Sequence, residues 1–72
     1  MATKLQMRRD GARAWLLSDP VTGANVGGID YEHSADGNHY RPWLLTDGAR
    51  RALGQPLPQL AMAARAIEAA RQ

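Results

Sequence analysis

Arg13-Ala-Trp-Leu-Leu-Ser-Asp-Pro20 recurs as Arg41-Pro-Trp-Leu-Leu-Thr-Asp-Gly48. Arg, Trp, Leu, Leu and Asp repeat in place, Ser becomes Thr, and Pro becomes Gly. Each copy has a β-favouring centre followed by turn-forming residues, so the repeat predicts two similar strands, each ending in a turn. Trp15 and Trp43, the two tryptophans of the chain, are the centres of the two copies.

Working outward, Ala12 to Ser18 reads as a strand with Arg13, Trp15 and Leu17 on one face and Ala14 and Leu16 on the other. Asp19-Pro20-Val21-Thr22-Gly23 is a turn, since Pro fixes φ and Gly supplies a positive φ. Asn25 to Glu32 is a second strand, where Gly27-Gly28 predicts a bulge or a close backbone approach. His39 to Leu45 is a third. Pro42 lacks an N–H, which places that strand at a sheet edge or leaves it paired on one side. Thr46 or Asp47 is positioned to cap a short helical turn over Ala49 to Leu53, ended by Gly54. Residues 1–11 are polar and basic, either an edge strand or a loose arm, with Asp10-Gly11 suited to a hairpin turn.

Past Pro56 the period changes from two to 3.6. Leu57, Leu60, Ala64 and Ile67 follow helical spacing in an alanine-rich run, so Pro58 to Ala70 is a predicted helix, with Ala63 off its apolar stripe and Gln59 and Arg65 facing water. The fold class expected is α+β: a three-stranded antiparallel meander, four-stranded if residues 1–11 pair, covered on one face by the C-terminal helix. Residues 1–11 form the arm or edge strand and residues 12–72 the single domain. Trp15, Leu17, Ile29, Trp43, Leu45, Leu53, Leu57, Leu60 and Ile67 are the expected core. Ala14, Leu16, Val26, Asp30, Glu32, Tyr40 and Leu44 are expected on the bare face.

A strand with a central Trp, a strand carrying Gly27-Gly28-Ile29, a third strand and then Leu53-Gly-x-Pro-Leu-x-x-Leu-x-x-Ala-x-x-Ala-Ile-Glu68 make up a pattern. It resembles small β-β-β-α accessory proteins of phages and mobile elements, and is similar in outline to the arm-binding N-terminal domains of phage integrases. The resemblance covers residues 12–70 as a pattern and transfers no functional residue.

Composition narrows the function by exclusion. Seventy-two residues allow one domain with a thin core. With no cysteine, a disulfide framework and thiolate metal sites are excluded, which fits a reducing cytoplasm. No signal peptide or membrane-spanning stretch is legible. Eight of the nine basic residues are arginine, a bias that fits a GC-rich bacterial or phage coding background. Net charge is only +2, but it is unevenly spread. Lys4, Arg8, Arg9 and Arg13 crowd the N-terminus, Asp30, Glu32 and Asp36 the middle, and Arg50 and Arg51 form a second basic spot.

No constellation carries catalytic chemistry. The run Asp30-Tyr-Glu32-His33-Ser-Ala-Asp36-Gly-Asn-His39 fails as a calcium loop, because Ala35 stands where glycine is needed and Arg41 where the bidentate Glu belongs. As a zinc site it would need both histidines to converge with a carboxylate. No serine has a nucleophile-elbow context, Gly27-Gly28 lacks the lysine of a phosphate loop, and no catalytic, metal or cofactor-binding residue is assigned. Arg13 and Arg41 each share a face with the following Trp, which suggests a stacking platform if exposed. Burial of both tryptophans under the helix, with the arginines at the rim, is the favoured reading.

The expectation is therefore a non-enzymatic regulatory or inhibitory protein, phage- or mobile-element-encoded and cytoplasmic in a bacterial host. Its partner would be a host protein or protein–nucleic acid complex, such as RNA polymerase or a CRISPR effector, with no membrane involved. Lys4, Arg8, Arg9, Arg13, Arg50 and Arg51 are the candidate contact residues. The alternative is a DNA-binding module that uses the basic N-terminal segment on phosphates.

Overall fold

The computed structural model describes residues 4–71, so residues 1–3 of the expected arm and Gln72 lie outside it. Five strands, β1 (Gln6–Arg9), β2 (Ala14–Ser18), β3 (Asn25–Ser34), β4 (Gly37–Thr46) and β5 (Ala49–Ala52), precede one helix, α1 (Leu60–Ala70). The strands form a single antiparallel sheet in the order β1-β2-β3-β4-β5, and α1 packs across β3 and β4. The α+β meander with a C-terminal helix is as the sequence predicts, but it has five strands rather than three or four.

The two additional strands have separate causes. Residues 6–9 pair with β2 in register, Met7 opposite Leu17 and Arg9 opposite Trp15, so the N-terminal segment is an edge strand rather than an arm. At the other end, Ala49 to Ala52 form β5 instead of a helical turn. Asp47 and Gly48 both take positive φ, 52° and 80°, and Thr46 stands opposite Ala49. Asp-Gly with two positive φ values is the two-residue hairpin turn whose twist matches paired strands, and it sends the chain straight back along β4.

Register decides which residues meet the helix. Trp15 stands opposite Ile29, and Ile29 opposite Pro42. Odd-numbered residues of β2 and β3 therefore share a face with even-numbered residues of β4. That face holds Trp15, Leu17, Ile29, Tyr31, Tyr40, Pro42 and Leu44. Leu17, Ile29, Ala63 and Ile67 are its fully buried centre, with Leu5 beside them. Trp43 and Leu45 fall on the opposite, open face, which corrects their assignment to the core beneath the helix, while Tyr40 and Leu44 move from the expected bare face to the helix side. Leu45 is 40% exposed, yet Trp43 is only 8% exposed without any helix above it. Its indole lies across Gly28, the residue opposite it on β3. A Cβ built on Gly28 would fall inside the indole and 2.8 Å from the Trp15 carbonyl. The glycine pair thus serves close approach, beside a bulge in which Val26 is the unpaired residue.

Pro42 sits in a strand paired on both sides, not at an edge. Tyr40 exchanges backbone bonds with Leu57, and the Pro42 carbonyl accepts from Leu53 at 3.0 Å. The Pro42 nitrogen points to the same side, toward Leu53, so this pair keeps one of its two bonds and the ladder between β4 and β5 stops at Ala52. In α1 the buried stripe runs through Leu60, Ala63, Ala64 and Ile67. Ala63 is completely buried, so it belongs to the stripe, while Gln59 and Arg65 are exposed as expected.

Candidate functional site

The basic residues of the N-terminal segment collect around β1. All four residues of this strand are exposed, and it pairs only with β2. The Ala14 carbonyl accepts from Asp10 at 2.9 Å and the Arg13 carbonyl from Tyr31 at 2.8 Å, so even-numbered residues of β2 address β1 and odd-numbered ones β3. Arg8 and Gln6 consequently bond β2, whereas Met7 and Arg9 carry their backbone N–H and C=O on the outer edge. The preceding outward donor, the Leu5 N–H, is taken by the Glu68 carboxylate of α1 at 3.1 Å. Lys4, Arg8, Arg13 and Arg65 of α1 form no ion pair among the described residues. Arg9 donates to the carbonyls of Gly11 and Ala12 at 3.1 and 3.0 Å, with its guanidinium 5.5 Å from the Trp15 ring.

A groove lies on each side of β1. On the helix side, between strand and helix, it is lined by Leu5, Met7, Leu17, Ala61 and Ala64, with Lys4, Arg65 and Glu68 also at its walls. On the open face it is bounded by Gln6, Arg8, Leu16, Ser18, Gly23 and Asn25. The first is mainly apolar and the second polar.

Arg50 and Arg51 belong to a different place. β5 is the opposite edge of the sheet, four inter-strand spacings or roughly 19 Å from β1. Arg50 lies over the Trp43 ring at 4.2 Å and 3.9 Å from Asp30, so its charge is engaged on the open face. Arg51 faces the helix side opposite Leu44. Arg41 is 3.8 Å from Glu32. The six candidate residues therefore do not form one patch, and the Arg–Trp pairs do not form one platform, because Trp15 and Trp43 lie on opposite faces of the sheet.

The acidic and histidine-rich segment is the tip of the β3–β4 hairpin. His33 faces the helix side, where its Nδ1 lies 3.0 Å from Asn38 Oδ1, and Tyr31 donates to the same oxygen at 2.7 Å. His39 faces the other way, with Nε2 2.9 Å from Ser34 Oγ. The histidines cannot converge on one ion, and no trio of His and carboxylate groups among the described residues is placed to hold a metal. Asp19, in the β2–β3 loop, accepts from the Val21 N–H at 2.8 Å and pairs with Arg71 at 3.0 Å. The Val21 N–H, and after it Arg71, hold its carboxyl below the ordinary carboxylate value.

The groove residues Leu5, Met7, Ala61, Ala64, Arg65 and Glu68 were not legible as a site. Ala61, Ala64, Arg65 and Glu68 do follow helical i, i+3, i+4, i+7 spacing, which would mark them as one face. Their place beside β1 is set by long-range packing. No helix among the described residues is long and apolar enough to cross a membrane. Neither a protein-family model, nor a known protein, nor a solved structure matches the chain.

Proposed function

We propose that this chain is a small non-enzymatic binding protein that docks the β1 end of its sheet on an acidic surface of a larger protein. A component of a host nucleic-acid-processing machine is the class of target that fits the exclusions above. One observation carries the proposal. Lys4, Arg8 and Arg65 lie around an open strand edge with no carboxylate paired to any of them among the described residues. Opposite charge is what such an edge attracts, and long-range attraction speeds encounter with an acidic partner. Direct binding of DNA is less well supported, because on the broad open face Asp30 and Glu32 sit beside Arg50 and Arg41 and would repel phosphate.

The test is affinity capture from bacterial lysate, with and without nuclease, using the native chain and the variant Lys4→Gln/Arg8→Gln/Arg9→Gln. A partner retained after nuclease treatment and lost by the variant is the expected result, with thermal stability lowered only modestly, since all three side chains are exposed and the loss is confined to the Arg9 contacts with Gly11, Ala12 and Trp15. Micromolar binding of random duplex DNA that collapses with added salt and is lost in the same variant would overturn the proposal in favour of phosphate contact.

A further inference from the structure

The two faces beside β1 differ in chemistry: the helix side holds the mainly apolar groove, and the open side presents Arg8 and Gln6, with the polar groove lying behind them over β2. From this we infer that β1 accepts an extended segment of a partner protein as a sixth strand, with acidic residues alternating with leucine-like ones. The inference rests on the docking reading above and specifies its ligand.

Met7 and Arg9 present free backbone N–H and C=O groups outward, so a strand laid along them gains up to four main-chain bonds, two per outward residue. A residue directly opposite Met7 shares its face, the helix side. There its side chain meets Met7, which is 43% exposed, and leans into the groove formed by Leu5, Ala61 and Ala64. The flanking residues of the added strand point to the open face, beside Arg8 and Gln6. An aliphatic side chain suits the first position and a carboxylate the second. Lys4 and Arg65 add positive charge at the rim, where the Glu68 carboxylate is taken up by the Leu5 N–H.

Charge also separates this occupant from its competitors. Cations on an edge strand keep copies of a chain apart. A second copy pairing through β1 would set Arg8 and Arg9 against the same residues, and pairing through β5 would set them against Arg50 and Arg51. A nucleic acid offers phosphates to the arginines but neither a β-strand backbone for Met7 nor an aliphatic side chain for the groove. At β5, by contrast, Arg50 is already engaged by Trp43 and Asp30.

The probe is a synthetic octapeptide alternating glutamate and leucine, titrated into the ¹⁵N-labelled chain. Amide exchange and chemical shifts are read, with hexaglutamate and a single-stranded oligonucleotide titrated in parallel. The expected result is at least a five-fold slowing of exchange at the Met7 and Arg9 amides, with shifts at Ala61 and Ala64. Two variants address the mode. Met7→Pro removes an outward N–H without touching the β1–β2 ladder, and Ala61→Leu fills the groove from an exposed helix position. Each should weaken the peptide at least ten-fold, and Ala61→Leu carries the test if Met7→Pro does not fold. Equal binding of hexaglutamate and the alternating peptide, or binding that both variants retain, overturns strand addition while leaving charge-directed docking intact. Failure of the alternating peptide to bind overturns strand addition as well. Salt-sensitive binding of the oligonucleotide without the peptide overturns both readings.

Discussion

Trp15 and Trp43 are the centres of the same repeated phrase and are handled in opposite ways. Trp15 lies on the helix side and is half-buried, its ring 5.9 Å from Tyr40 and 6.5 Å from Tyr31. Trp43 lies on the open face and is the better buried of the two, held between Gly28 beneath and Arg50 beside it. The aspartates of the phrase diverge as well. Asp19 organises a loop through Val21 and Thr22 and pairs with Arg71, whereas Asp47 turns the chain through a left-handed conformation. A local sequence specifies strand and turn, but the parity of the intervening hairpins specifies the face. A thin sheet can bury an indole with a missing Cβ and a guanidinium where no second layer exists.

Gly28→Val should be the most damaging substitution at the Trp43 seat. The new side chain would occupy the indole's place, and overpacking at so constrained a position should cost about 3 kcal/mol or more, measured by urea denaturation. Trp43→Ala should follow at about 3–5 kcal/mol, and Trp15→Ala at about 2 kcal/mol because its ring is partly solvated already. A larger loss from Trp15 would mean that the helix-side aromatic group, not the Gly28 seat, dominates. Trp43→Phe keeps a ring over Gly28 and removes the buried Nε1, which has no hydrogen-bond partner among the described residues, so it should stay within about 1 kcal/mol of the native chain.

Arg50→Ala sharpens the contrast at lower cost. Loss of an exposed cation–π contact should destabilise by about 0.5–1 kcal/mol, while acrylamide quenching of Trp43 fluorescence, read in a Trp15→Phe background, rises. The smallest effect belongs to the aspartates. Asp19 has its folded value depressed, so its contribution is complete above the ordinary carboxylate range and is lost as pH falls through the folded value. Between about pH 6 and about pH 2 the fall in Tm should be smaller for Asp19→Asn than for the native chain. Asp47→Asn, at a left-handed position that favours either residue, should leave stability at neutral pH within about 0.5 kcal/mol of the native chain.

Strands β2, β3 and β4 and the helix were legible because alternation, turn residues and alanine-rich periodicity are local signals. Pro42 misled because a missing donor costs one bond rather than a whole pairing: Leu53 still donates to the Pro42 carbonyl, and β5 ends at the residue before it. The assignment of Trp43 to the helix side failed because a face cannot be read from a single strand. Asp47-Gly48 could have been read as a hairpin turn, as Asp10-Gly11 was, but the following Ala-Arg-Arg-Ala has no β signature of its own. In the candidate site, the cations of β1 were visible as a cluster. The groove beside them was not, because Leu5 and Glu68 meet across nearly the whole chain.

Every strand of the sheet pairs with its neighbour in sequence, while the one layer that covers it follows last. Such local pairings form early and rapidly. Until α1 is in place, the Leu17 and Ile29 face of that sheet has nothing over it. During that interval the protein is an amphipathic sheet with a wet side and a sticky one. Gly27 makes the late closure easy, since Ile67 of α1 settles where a side chain would otherwise stand.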